Sequence, residues 1–121
     1  MNILRKAVLA KKFGEKGFNC WGLTAYILGW IERPEHLTDE QMIQLIWDHA
    51  DPDGQGDLVV FYYEVRQNQC DRVLVHSALM LDDEHILHKD GDNEIRIDLL
   101  SDVRKWHKGL YKKYELWTPM V

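Results

Sequence analysis

Cysteine is scarce: Cys20 and Cys70 are the only two in 121 residues. That is too few for a disulfide scaffold and too few for a cysteine-only zinc site. No window approaches ~18 continuous apolar residues, so no membrane span is expected. Cations are the minority charge: fifteen Lys and Arg against twenty Asp and Glu leave a net charge of −5. A broad basic surface for nucleic acid is thereby excluded, because such a chain repels phosphates rather than releasing their counterions. Internal repeats and low-complexity stretches are lacking too. What is plentiful is apolar bulk, 45% of the chain, with five Trp, five Tyr and three Phe. That is enough for a real core, which excludes wholesale disorder. A length near the ~150 residues of an average domain points to one domain over 1–121.

The N-terminus has no secretory h-region. After Lys6 the apolar run is only Ala7 to Ala10, against the ~7–15 residues required. The chain as read therefore starts in the cytoplasm, and action at a cell wall would need a non-classical route of delivery. Ile3, Leu4, Ala7 and Val8 fall at helical spacing and predict a short amphipathic helix. Gly14 and Gly17 mark a loop. Asn19 then suits an N-cap, with apolar positions 20, 23, 24, 27, 28 and 31 behind it and Pro34 as the stop. Thr38 and Gln41 have capping-box spacing and open another helix, with Met42, Ile43, Leu45, Ile46 and His49 or Ala50 facing inward.

Past the turn cluster Asp51 to Gly56 the period changes. Strands are expected over Asp57 to Tyr63, Arg72 to Leu81, His85 to Lys89, Glu94 to Asp98 and Leu110 to Trp117. A polar loop spans 66–71, and a helical excursion spans Leu99 to Trp106. Helices first and a meandering antiparallel sheet afterwards make an α+β fold.

Two residues stand out chemically. Cys20 opens a helix just after its cap, where unpaired N–H groups and the positive dipole end favour a thiolate. The same N–H groups can hold an oxyanion. A buried free cysteine is otherwise an inert small hydrophobe. His76 lies inside Val73 to Leu81, among apolar residues, where an imidazole needs a partner. It is either a satisfied core histidine or a general base facing Cys20 across a helix–sheet interface. The turn at 82–84 carries His88 and Asp90 back toward it, and either can orient its ring. His85 and His88 point to opposite strand faces, which argues against a His-x-x-His metal chelate. The Asp51 to Gly54 and Asp90 to Asn93 stretches lack the Gly and Glu of a calcium loop. Cys20, Cys70 and His76 lack paired zinc spacing. No metal and no cofactor are expected. Cys70 reads as a bystander thiol and Asp57 as a turn cap.

Asn19-Cys20-Trp21-Gly22-Leu23 resembles the nucleophile motif of NlpC-type cell-wall cysteine peptidases, in the papain-like superfamily. Gly56 to Phe61 resembles that family's Gly-Asp-Leu-Val-x-Phe strand. Val75 to Leu81 resembles its strand with the catalytic His, and Ile86-Leu87-His88 the next strand with the third polar residue. The resemblance covers roughly residues 15–100. It implies a papain-like fold, with Cys20 as nucleophile, His76 as base and His88 as orienting residue. The implied substrate is a peptide or peptidoglycan fragment, and a cognate inhibitor or delivery partner is in keeping with it. The family usually has Asp before the Cys and Ser or Thr after it, and both help bind substrate. Asn19 and Trp21 stand there instead, as candidate substrate-binding residues nearer to the phage-tail branch. Two alternatives stay open: a non-catalytic binding or phage-tail-type assembly module, and a thiol-dependent acyltransferase or deacylase.

Overall fold

The structure, a computed structural model, describes residues 2–64, 72–91 and 93–120. Cys70 and the whole of the expected 66–71 loop lie outside the described residues. Helix α1 (Ile3–Lys11) starts at Asn2, whose side chain accepts the Arg5 N–H. Its buried face runs through Ala7 and Ala10, while Leu4 and Val8 are exposed. The expected face is thus corrected by part of a turn: Ala7 and Ala10, with Ile3, pack on the core.

Helix α2 (Cys20–Ile27) is buried at every position. Asn19 caps it as expected, but it stops short of residue 31. The Gly29 N–H reaches the Tyr26 carbonyl and the Trp30 N–H reaches Ala25. Gly29 has a φ of 80°, so this is a Schellman ending that glycine permits at low cost. Pro34 is not needed as the stop. Helix α3 (Asp39–His49) has the full Thr38–Gln41 capping box. It buries Met42 and Ile46, and Ala50 rather than His49 completes the inward stripe.

The second half forms β1 (Ala50–Asp51), β2 (Leu58–Glu64), β3 (Arg72–Met80), β4 (His85–Lys89), β5 (Ile95–Leu99) and β6 (Lys113–Pro119). All pairings are antiparallel, in the order β1-β6-β2-β3-β4-β5. With the helices this is α+β. Strands β2 to β5 form a meander. The last strand departs from it, returning to pair with β2 and with the short β1, which sequence reading took as helix end and turn. Between β5 and β6, α4 (Leu100–Val103) falls within the expected excursion, while α5 (Trp106–Gly109) runs past its end and the last strand starts at Lys113 rather than Leu110. His107 and Lys108 adopt φ of 52° and 60° there. No helix among the described residues is long and apolar enough to cross a membrane.

Alternation along the strands divides the core. Leu58, Val60, Leu79 and Leu87 pack under α1, α2 and α3. Val59, Phe61, Ala78 and Ile86 pack on the other face with Val103 and Tyr111. Both faces of β2 and β3 are therefore covered, which explains their continuous apolar runs. Each fully buried aliphatic or aromatic side chain here contributes ~1.5–3 kcal/mol.

Candidate active site

Cys20 is held by its neighbours on both sides. Asn19 Oδ1 accepts the N–H groups of Gly22 (3.0 Å) and Leu37 (3.2 Å). Its Nδ2 donates to the Leu37 carbonyl at 2.8 Å and to His36 Nδ1 at 3.2 Å. Trp21 is 3% exposed, and its Nε1 donates to Asp39 Oδ1 at 2.9 Å. Both side chains are fully engaged in fixing the start of α2 to the 36–39 segment. They hold the start of the Cys20 helix. Gly22 lets that segment approach, since a Cβ there would lie 1.7 Å from the Glu35 carbonyl oxygen.

Ser77 joins α2 to β3. Its Oγ donates to the Cys20 carbonyl (3.2 Å) and shares a 2.8 Å hydrogen bond with Thr24 Oγ1. All three residues are buried. Ser77 therefore faces α2, and His76, one residue earlier, faces the opposite side of the sheet. The imidazole does not project into the helix–sheet interface as expected. Cys20 instead meets β3 through its backbone carbonyl, which accepts the Ser77 hydroxyl. β3 pairs with β4 only over residues 78–80 and 86–88, so the two strands part beside Ser77.

Burial pushes the Cys20 thiol up to about 12. The Ser77 and Trp21 N–H groups oppose that rise, and the Asp90 and Asp39 charges add to it. The resting group is a neutral thiol, not the thiolate expected from the helix dipole, because removal from water outweighs the N-terminal field. Among the described residues, no hydrogen bond joins the thiol to the His76 ring.

His76 is 1% exposed and stacks on Tyr111, with centroids 4.9 Å apart and planes 5° apart. A bulge between its β2 partner Phe61 and Tyr62 leaves Val75 unpaired beside it. His76 Nε2 and His88 Nδ1 share a hydrogen bond of 2.8 Å. On the far side, His88 Nε2 lies 2.8 Å from Asp98 Oδ2. Arg96 Nη2 donates to Asp98 Oδ1 at 3.0 Å. Burial drives His76 down to about 3, with His88 and His107 adding to the drop. Burial also lowers His88, against the pull of Asp98. Asp98 behaves oppositely: burial would raise it, but hydrogen bonds from His88 and Arg96 hold it below the usual carboxylate range.

Of the two possible orienting residues, His88 touches His76. Asp90 instead faces His107 (3.4 Å) and Tyr111 (3.5 Å). His85 is paired with Asp82 at 3.0 Å. Among the described residues no group of three His, Cys, Asp or Glu is arranged to hold a metal ion. Sequence reading missed Asp98, Ser77, Thr24 and Tyr111. For Asp98 a signal existed, because alternation in Ile95-Arg96-Ile97-Asp98 sets Arg96 and Asp98 on one face. The His88–Arg96 register then brings that face to His88. Chemically, the arrangement offers a nucleophilic atom at a helix start and a neutral imidazole backed by a hydrogen-bonded chain. Comparison with known proteins finds no family model, curated protein or solved structure that matches the chain.

Proposed function

We propose that the protein is a papain-like, NlpC-type cysteine hydrolase cleaving an amide bond, in peptidoglycan stem peptides or a related peptide. Cys20 is the nucleophile, His76 the base and His88 the residue that orients His76. His76 Nδ1 takes the thiol proton as sulfur bonds to the carbonyl carbon. The backbone N–H of Cys20 contributes to the oxyanion hole. The C–N bond then breaks, and the amine leaves with the proton from His76. Water, deprotonated by the same nitrogen, cleaves the thioester and restores the thiol. With a thiol near 12 and an imidazole near 3, proton transfer accompanies attack rather than preceding it as a resting ion pair.

One observation carries this reading: the buried His76–His88 pair sits at 2.8 Å, and Ser77, next along the chain, donates its hydroxyl to the carbonyl of Cys20. Buried imidazoles cost stability unless satisfied, and this pair follows directly on the strand residue that holds the start of the Cys20 helix. The test is digestion of purified peptidoglycan by wild type and Cys20→Ala, with mass analysis of the fragments. Stem-peptide cleavage by wild type alone is expected. No Cys20-dependent product would overturn the reading.

A second reading is a non-catalytic binding module on the same scaffold. It is favoured by the missing thiol–imidazole hydrogen bond at rest. Trp47, 68% exposed, also borders an apolar cavity of about 410 Å³ with Ile46, Val60, Leu74 and Trp117, and Cys20 is not among its walls. An acyltransferase or deacylase would want such a cavity at the thiol. The same digestion separates these readings from the first.

A further inference from the structure

The relay behind the base does not end at His88, and its far end has a direction. An ionised carboxylate only accepts hydrogen bonds, and a guanidinium only donates. Asp98 meets both requirements at once: Oδ1 takes Arg96 Nη2 at 3.0 Å and Oδ2 takes His88 Nε2 at 2.8 Å. Ring packing fixes the rest. His88 lies against Trp106, centroids 5.3 Å apart, and Arg96 sits over the same indole at 5.3 Å. His76 packs against both Phe61 and Tyr111, which also touch one another.

We infer that Asp98 is a positioning residue that sets the proton order of both buried imidazoles, and through them leaves the lone pair of His76 on Nδ1. The steps follow from the inventory of donors and acceptors. Asp98 requires the His88 proton on Nε2. A neutral His88 then offers Nδ1 as an acceptor, so the His76 proton sits on Nε2, 2.8 Å away. A neutral His76 is left with a basic Nδ1. Both rings are kept neutral by burial. The charged and titratable groups around His88 are His76 from β3, Asp90 at the end of β4, and Arg96 and Asp98 from β5. Of the two carboxylates, only Asp98 touches an imidazole of the pair. The inference rests on the hydrolase reading for the use made of Nδ1, but not for the proton order itself.

Asp98→Asn tests it sharply. An amide has one oxygen, and Arg96, having only donors, takes it. The NH₂ group then faces His88 Nε2, which must accept. Both imidazoles reverse: His88 carries its proton on Nδ1, and so does His76. Ring nitrogen NMR of the full-length protein reads this directly. Wild type is expected to show Nε2–H on both rings, and Asp98→Asn to show Nδ1–H on both. Arg96→Leu in the Asp98→Asn background frees the amide to turn, and the wild-type order returns. Nδ1–H on either ring in wild type overturns the inference, even if no variant folds. An unchanged order in a folded Asp98→Asn overturns it too. In a Cys70→Ser background, iodoacetamide alkylation of Cys20 falls ~10-fold or more when the order reverses, the consequence of a wrong tautomer. Reversal with no fall in alkylation would uphold Asp98 and remove His76 as the base of Cys20, which is failure of the hydrolase reading instead.

Discussion

Acid should loosen this fold well before its carboxylates titrate, because His76 is buried neutral. In an unfolded chain its ring takes a proton near pH ~6.5. In the folded chain burial holds it down to about 3. Above the unfolded value the ring is neutral in both states and contributes no pH dependence. Below it, the unfolded chain binds a proton that the folded chain refuses, so stability falls until the folded value is passed. Between pH ~7.5 and ~5.5 that loss is about 1.4 kcal/mol from His76 alone. For a domain of this size it lowers Tm by roughly 5 °C. His88 shifts in the same direction and adds to the loss. Asp53, Asp82 and Asp98 sit below their ordinary values. Their contribution is present above pH ~3.9 and is lost only as pH falls below it, outside the window. The assay is urea unfolding of wild type and His76→Gln at the two pH values. The variant has no ring to titrate at this position, so its stability should fall by about 1.4 kcal/mol less than wild type over the interval. Equally steep falls in both proteins would mean that residue 76 is not a buried neutral imidazole.

Two further outcomes follow from the packing around Cys20. Ser77→Ala leaves the Thr24 hydroxyl buried without its 2.8 Å partner, and should cost ~1–3 kcal/mol in urea unfolding. Adding Thr24→Val removes the stranded hydroxyl and should restore part of that loss; a double variant no better than the single would refute the clasp. Gly22→Ala puts a methyl 1.7 Å from the Glu35 carbonyl oxygen, forcing backbone to shift at a cost of at least ~2 kcal/mol. A change within ~0.5 kcal/mol, the range of a neutral surface substitution, would show that the 35–37 segment does not press on α2 as described.

The parts of the site that could be read along the chain are those governed by short-range rules. Asn19 caps α2 and Thr38 with Gln41 caps α3, because a cap needs only a side chain and an N–H two or three residues on. The strand at His76 and its return through His88 follow from β propensity and a tight turn. Ile97 shows the limit of periodicity: it alternates correctly, yet is 52% exposed on the edge strand β5.

Sequence alone determined where α2, α3, β3 and β4 begin, that the helical half precedes the sheet, and that Cys20, His76 and His88 are the residues worth weighing. Only the tertiary structure decided that Ser77, not His76, faces α2. It also decided that Ser77 ties the Cys20 carbonyl to β3 where β4 parts from it, and that Asp98 with Arg96 closes the chain behind His88. The reason is physical. Caps and periods are written within a few residues. Which face of a strand a helix covers, how far a ladder runs and how much water a thiol loses depend on partners dozens of residues away, brought together only when the sheet forms.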